Sequence, residues 1–553
     1  MNSLINRICN ISFTQANSII KQISGIIDYF SSEDEKTDFI SIHESKANIV
    51  CDDKVSYGDW QTPIALAETI CDRHVAKYGH PDIVIEPTCG LGAFIFSALA
   101  KFPHLSELYA LEINHQYTTE LKYNLLLNAL SNPSQSHPDI YIYNDDFFKF
   151  DFSDIIKRAE RKNWNLAIIG NPPWVTNSRQ GTNNSLNVPV KKNSYGLKGI
   201  DAITGKSNFD ISEYITRSLL EQSQVNKGGI SFLLKNSVIR NILEKQKSAP
   251  LQVGEIEQSI INASNEFNVS VDASCFSAQF NCKPSLVCSV KNFYTDSYIN
   301  EYGWVNDAFV SDTALYNDCS KYDNHSTYVW RSGIKHDCAP VLELTRSDEG
   351  YTNGFGEKVI IENDMIYPLI KSSDISNYNP GHSRKYVIVP QRRIGEETSA
   401  LKHTHPLTYA YLMKHAAAFA SRKSSIYRGK DAFSIFGIGN YSFKPYKIVV
   451  SSLYKTINFL LISQIEGKPV MVDDTCYQLD FDDLEEATNI YDAINSNEIQ
   501  SLIKSLVFRD AKRVITKSLL MRLNLTQYCN DNGLEVHQDN HTEEKSRQLY
   551  LFD

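Results

Sequence analysis

The tetrapeptide Asn171-Pro172-Pro173-Trp174 sets two rigid residues between an amide and an indole. Proline fixes φ at about −65° and has no N–H, so the turn is stiff and presents acceptors: the Asn171 side-chain oxygen and the Pro172 carbonyl. Both can point at one amino group. An exocyclic amine on a purine is a poor nucleophile because its lone pair is delocalised into the ring. Two acceptors holding its hydrogens favour a pyramidal nitrogen and localise that pair for attack on an activated methyl group. Trp174 supplies a face for the base, and base–aromatic stacking is worth roughly 1 to 3 kcal/mol, against the few kcal/mol needed to unstack a nucleotide. The competing assignment is a strand-ending turn with a packed Trp.

A second group of residues suits a nucleoside without phosphates. Glu86-Pro87-Thr88-Cys89-Gly90-Leu91-Gly92-Ala93-Phe94 follows an apolar run and precedes a helix-compatible stretch. A pyrophosphate site would prefer G-x-G-x-x-G, whereas only Gly90 and Gly92 are present. Glu112, followed by Ile113, comes about twenty residues later, where a carboxylate can accept both hydroxyls of a ribose. Asp146 can accept from an adenine amino group while Phe147 packs on the ring. Taken singly, these residues also read as a plain turn and solvated loop carboxylates; their order after three successive strands describes an adenosine pocket.

The elements that position them alternate. β-rich runs at Ile83 to Ile85, Leu108 to Leu111, Ile140 to Tyr143, Leu166 to Ile169 and Ile230 to Leu234 are separated by helix-compatible stretches such as Phe94 to Lys101 and Tyr117 to Leu130. That alternation predicts a parallel α/β sheet, whose functional loops lie at the carboxyl ends of the strands. Thr62-Pro63 opens the preceding helix, with Thr62 as N-cap and Pro63 at the first helical position. Residues 175 to 208 read as a long polar loop.

With 553 residues, 42% hydrophobic and 22% charged, the chain has the composition of an ordinary globular protein of two or more domains. No apolar run is long enough for a membrane helix, and the first residues lack a secretory pattern, so a cytoplasmic protein without membrane association is expected. The 11 Cys include no C-x-x-C pair; Cys275, Cys282 and Cys288 read as reduced core thiols, and no metal is expected. The net charge is −10, yet residues 384 to 455 carry a local charge of +10. Such a segment on an acidic chain suits a polyanion.

The ordered set Gln61-Thr62-Pro63, Glu86 to Phe94, Glu112, Asp146-Phe147 and Asn171 to Trp174 resembles the S-adenosylmethionine-dependent DNA adenine-N6 methyltransferases of the gamma arrangement, the Taq-type modification enzymes of restriction-modification systems. The likeness covers residues 58 to about 295. It implies a seven-stranded, mostly parallel, doubly wound α/β sheet followed by a C-terminal α+β target-recognition domain. The implied divisions are a leader over 1–55, a catalytic domain over 56–300, a recognition domain over 301–530 and a polar tail over 531–553. By resemblance, Thr62 and Pro63 help close over the cofactor, with Asn171 bordering it; Glu86, Pro87, Cys89, Gly90, Gly92 and Phe94 hold its methionine part; Glu112 and Ile113 take the ribose side and Asp146 with Phe147 the adenine. Asn171, Pro172, Pro173 and Trp174 form the catalytic turn, and Asn at 171 favours adenine over cytosine. Phe267 matches a second aromatic against the flipped base, at the start of a later strand, and reads equally as a core residue. Lys206, in Gly205 to Asp210, meets a phosphate or is solvated.

In the basic segment, Arg392, Arg393, Arg422, Lys423, Arg428 and Lys444 are candidate contacts to double-stranded DNA, where cations would set orientation and a few side chains read base edges; a solvated face is the alternative for each. Gln548-Leu549-Tyr550-Leu551-Phe552 resembles the bacterial sliding-clamp-binding pentapeptide, or packs back on its own domain. A separate restriction endonuclease is a further expected partner. Rival assignments are an RNA adenine methyltransferase, a protein-glutamine N5 methyltransferase and a catalytically silent DNA-binding module.

Overall fold

The computed structural model describes residues 2–45, 61–133, 137–174, 210–454, 456–510 and 513–536. Lys206 and the Gln548–Phe552 tail lie outside the described residues, as does the whole 175 to 208 segment. The chain divides into two compact units, 1–309 and 310–553.

The first unit is built on one sheet. Its strands are β1 (Ile26–Ile27), β2 (Ile83–Glu86), β3 (Glu107–Glu112), β4 (Asp139–Asn144), β5 (Asn165–Gly170), β6 (Lys227–Lys235), β7 (Val253–Ile260), β8 (Ala273–Phe280), β9 (Val287–Asn292), β10 (Tyr298–Val305) and β11 (Ala308–Val310). They lie in the order β1-β4-β3-β2-β5-β6-β8-β7-β9-β10-β11. Strands β1 to β6 pair in parallel, and β8 runs antiparallel between β6 and β7. The sheet thus has eleven strands rather than the expected seven, β4-β3-β2-β5-β6-β8-β7 lying between added strands at its two sides. The additions are edge strands: β1 pairs with β4 on one side, and β9 opens a short extension on the other.

The central strands form because they are continuously apolar. All four residues of β2 and all six of β5 are buried, the pattern of a parallel strand covered on both faces. Helices α1 (Asn2–Ile8), α2 (Phe13–Ser24), α3 (Glu33–Ser45), α4 (Ile64–Tyr78), α5 (Ala93–Lys101), α6 (His115–Ser131), α7 (Ser153–Arg161), α8 (Ile211–Ser223), α9 (Asn236–Lys245) and the short α10 (Ala263–Phe267) accompany the sheet. They pack in sets: α4 against α5 and α2 against α6, then α8 against both α7 and α9.

Residues 2–45 are not a leader set apart from this unit. Ile8, Ile20, Ile26 and Phe30 are almost fully buried in the same apolar cluster as Ala67, Phe94 and Leu121, and β1 extends the sheet. The physical reason is area: Ser12 and Gln15 form a capping box that starts α2, and the apolar face so created needs a partner, which α6 provides.

The second unit holds two sheets. One has four antiparallel strands in the order β12-β21-β18-β19, with β12 (Arg331–Ser332), β18 (Tyr446–Ser451), β19 (Phe459–Ile462) and β21 (Cys476–Phe481). The other has six in the order β15-β14-β13-β17-β16-β20, with β13 (Glu343–Ser347), β14 (Gly350–Thr352), β15 (Lys358–Val359), β16 (Ile366–Ile370), β17 (Lys385–Ile388) and β20 (Met471–Val472). Short helices lie between the strands, and the basic segment takes in β17, the short helices Leu401–Thr404, Pro406–Lys414 and Ala416–Ala420, the turns that follow them and β18.

Candidate functional site

Because β4, β3, β2, β5 and β6 are parallel neighbours, their carboxyl ends open on one edge of the sheet. The strand order reverses between β2 and β5, and such a switch point leaves a crevice. The glycine loop leaves β2 on one side of it, and Asn171 leaves β5 on the other.

The loop after β2 is a shaped cradle. Gly90 and Gly92 have φ of +52° and +87°, backbone conformations that favour glycine, and a Cβ at Gly92 would collide with Leu121 of α6. Gln61 reaches over this loop, its Oε1 accepting from the Leu91 N–H at 3.3 Å. The Glu112 carboxylate, at the end of β3, accepts from Gly90 N–H at 2.9 Å and Asn114 N–H at 2.8 Å. It is therefore held toward the glycine loop, and Ile113 beside it is exposed. Asp146 is oriented by the Phe148 N–H, which donates to its Oδ1 at 3.0 Å. Phe147 is half-buried against Phe152 and Phe148.

Glu86 is the electrostatic anomaly. It is 2% exposed, and burial, aided by the charge of Glu112, pushes its carboxyl well above the usual carboxylate range. Its Oε2 has no hydrogen-bond partner among the described residues, and neither does the buried Thr88 hydroxyl two residues on. A carboxyl kept neutral at the crevice, beside a cradle too tight for side chains, fits a ligand that brings a cationic amino group. By contrast, the side chains of Phe94 and Cys89 are 1% and 4% exposed and pack in the apolar core. Pro87 is buried, its ring close to Gly170.

Thr62 departs from its expected role. The helix begins at Ile64 with Pro63 as its N-cap and no side-chain capping bond. The Thr62 hydroxyl instead accepts from the Asn171 Nδ2 at 3.2 Å. A residue before proline is confined to extended backbone and β-branching restricts χ1, so this hydroxyl is a fixed anchor. With the amide NH2 turned to Thr62, the amide oxygen lies on the opposite side of the same plane.

Trp174 is held by its indole N–H, which donates to the Leu233 carbonyl of β6 at 3.1 Å. Its ring meets Phe267 edge to face, with centroids 5.4 Å apart, and both are 7% exposed. The fold therefore brings the two aromatics together across almost a hundred residues. Phe267 ends α10, with Asn268 in the left-handed conformation as its cap, rather than starting a strand. Nearby, Lys235 at the end of β6 pairs with Asp210 at 2.5 Å, which also caps α8 through the Ser212 N–H.

Sequence patterns gave no role to Gln61, Thr88 or Lys235. The first two lie inside motifs whose neighbours were assigned, and position alone was the available signal. Lys235 has no local signal, because its partner is 25 residues away. Of the basic candidates, Arg392, Arg393, Lys423 and Arg428 are exposed. Arg422 is engaged internally with backbone carbonyls, and Lys444 pairs with Asp480 and Asp482; both interactions compete with direct DNA contact. Among the described residues there is no grouping of His, Cys, Asp and Glu suited to a metal ion, and no helix is long and apolar enough to cross a membrane.

No family model matches the chain. It is similar to the Type II methyltransferase M.NspV of Nostoc sp. (strain ATCC 29411 / PCC 7524), with 40% identity over 481 residues, covering 85% of this chain and 97% of that protein. Among solved structures, the Type IIL restriction-modification enzyme MmeI, determined in complex with DNA, matches with a TM-score of 0.51 at 12% identity, over 92% of this chain and 67% of that one. At that identity the likeness describes the fold: a mixed α/β methyltransferase-like architecture with a large, mostly parallel sheet.

Proposed function

Since the chain belongs to the Type II methyltransferases, we propose that it is the modification enzyme of a restriction-modification system. In this role it transfers a methyl group from S-adenosylmethionine to the N6 amine of an adenine flipped out of duplex DNA at a specific site. The counterpart in such a system is a separate restriction endonuclease. The finer assignment, to adenine and the gamma arrangement, rests on Asn171 and on the chain order of the glycine loop before the Asn-Pro-Pro-Trp turn.

The residues at the crevice fit the cofactor. Glu86 and the Gly90–Gly92 cradle would hold its aminocarboxypropyl end, Glu112 its ribose, and Asp146 with Phe147 its adenine. When bound, S-adenosylmethionine supplies an electrophilic methyl group on a positively charged sulfonium. A cationic amino group beside Glu86 would favour the ionised carboxylate, the proton that burial retains leaving to solvent, and the resulting pair would satisfy the orphaned Oε2.

The target amine is handled by the chain itself. The Asn171 Oδ1 and the Pro172 carbonyl accept its two hydrogens, which draws the lone pair out of conjugation. Thr62 accepts from the Asn171 NH2, which would leave the amide oxygen, not the NH2, to face the base. Trp174 and Phe267 touch each other, so a base seated between them must part the two rings, and its stacking on Trp174 offsets part of the cost of leaving the duplex. No side chain is needed to take the amine proton before transfer; it departs to solvent afterwards.

The carrying observation is the Asn171 amide just after β5, anchored through Thr62. Replacing Asn171→Ala is expected to abolish incorporation of tritiated methyl groups into DNA while S-adenosylmethionine still binds. Near-normal incorporation would end the assignment. Sequencing the methylated bases in DNA from an expressing host identifies the target site.

A further inference from the structure

Arg422 lies in the middle of the basic segment but does not face outward. Its guanidinium donates to four backbone carbonyls: Phe419 at 3.1 Å, Ser434 at 2.7 Å, Ala432 at 2.8 Å and His336 at 3.4 Å. It also lies over the Tyr427 ring, 3.7 Å from the centroid, and Tyr427 packs edge to face on Phe436. One side chain therefore ties down both ends and the middle of the loop 421–434. The five donors of a planar guanidinium are suited to such a fork.

The loop held in this way carries three cations at its surface. Lys423, Arg428 and Lys430 are all exposed, and none has an ion-pair partner among the described residues. Gly429, at φ +70° with open space around it, turns the chain between the latter two. The one acid of the loop, Asp431, is occupied elsewhere, its Oδ2 accepting from the Thr398 N–H at 2.7 Å. With Arg422 counted, the loop holds four cations and one carboxylate, a net +3 on a chain whose net charge is −10.

A merely solvated loop has no need of a half-buried arginine that fixes its course. Ordering a loop before it binds removes an entropy cost from association, and rigidly spaced cations suit a ligand with regularly spaced negative charges. Base edges are read mainly by forked contacts from Arg, Asn and Gln, and Arg428 is the one exposed side chain of this loop of that kind; Lys423 and Lys430 are point charges.

We propose that Lys423, Arg428 and Lys430 grip the phosphate backbone of duplex DNA, and that Arg422 is the positioning residue that holds their loop for it. This rests on the DNA-methyltransferase reading above and names the part of the second unit that supplies sequence-independent affinity.

The test measures binding of the full-length protein to a fluorescent synthetic DNA duplex lacking any methylation target, from about 50 to 200 mM salt. Each phosphate contact contributes about 0.9 to the slope of log K against log salt. The triple variant Lys423→Gln/Arg428→Gln/Lys430→Gln changes only exposed side chains and is expected to flatten that slope by about 2 to 3, equally for duplexes of different sequence. Arg422→Lys, which keeps the charge and loses the fork, is expected to flatten it in the same direction. An unchanged slope in the triple variant overturns the proposal, as does a loss confined to RNA duplexes. If wild-type protein binds no DNA duplex at all, it is the methyltransferase reading that fails.

Discussion

Replacing Thr62→Val removes one hydroxyl and keeps the shape and β-branching of the side chain, so the start of α4 and the proline after it are undisturbed. What is lost is the acceptor for the Asn171 Nδ2 at 3.2 Å. A neutral hydrogen bond of this kind contributes about 0.5 to 1.5 kcal/mol net. If all of it serves to keep the amide oxygen facing the base, then at about 1.4 kcal/mol per tenfold in rate the variant loses about 2- to 12-fold in kcat. Single-turnover methylation of a duplex at saturating S-adenosylmethionine isolates that step from product release. The expected pattern is a fall in the single-turnover rate with the cofactor Kd unchanged, and recovery in Thr62→Ser, which retains the hydroxyl. A wild-type rate in Thr62→Val would refute the orienting role. A loss that appears as weaker cofactor binding, with the rate restored at saturation, would return Thr62 to the cofactor-closing role that its motif suggests.

Two further perturbations probe the cradle. Glu86 holds a proton in the folded protein that an unfolded chain has released above its ordinary pKa of 4.5, so without cofactor the folding stability contributed by this group declines as pH rises from there toward the raised folded pKa. Glu86→Gln should flatten that decline in thermal melts taken across pH and, in a separate titration, weaken S-adenosylmethionine binding; a variant with the wild-type pH dependence would exclude a buried neutral carboxyl. Gly92→Ala places a Cβ at φ +87° and against Leu121, so a loss of about 1 to 3 kcal/mol from backbone strain, with the collision added, is expected in chemical denaturation. Stability within about 0.5 kcal/mol of wild type, the range of an innocuous surface change, would mean the loop adapts without strain.

Much of the catalytic unit was legible in the chain. Strands β2, β3, β4 and β5 follow apolar runs, with boundaries that differ from the sequence expectation by a residue at an end. The runs of β2, β3 and β5 are buried on both faces, so burial selects their composition directly and leaves a local signature; β4, with only Ile140 buried, shows it more weakly. For the same reason the positions of Glu86, Glu112 and Asn171 at or just after strand ends were legible in the sequence. The N-terminal segment was misjudged because its pattern is amphipathic rather than continuously apolar. Ile8, Ile20 and Phe30 become core residues only once α6 and β4 supply surfaces to cover them.

The sequence by itself determined which chemistry the site can perform, because a proline-stiffened turn and a glycine loop act through backbone constraints carried by the residues themselves. The tertiary structure alone decided how their atoms are used. Thr62 gives its hydroxyl to Asn171, 109 positions away, instead of to its own helix, and Trp174 meets Phe267 although 92 residues separate them. Arg422 and Lys423 are adjacent cations of similar length, yet one is fastened to carbonyls inside the loop and the other stands in water. Composition and spacing cannot separate such cases, because partner choice depends on which distant surfaces the packed sheet brings within hydrogen-bond reach.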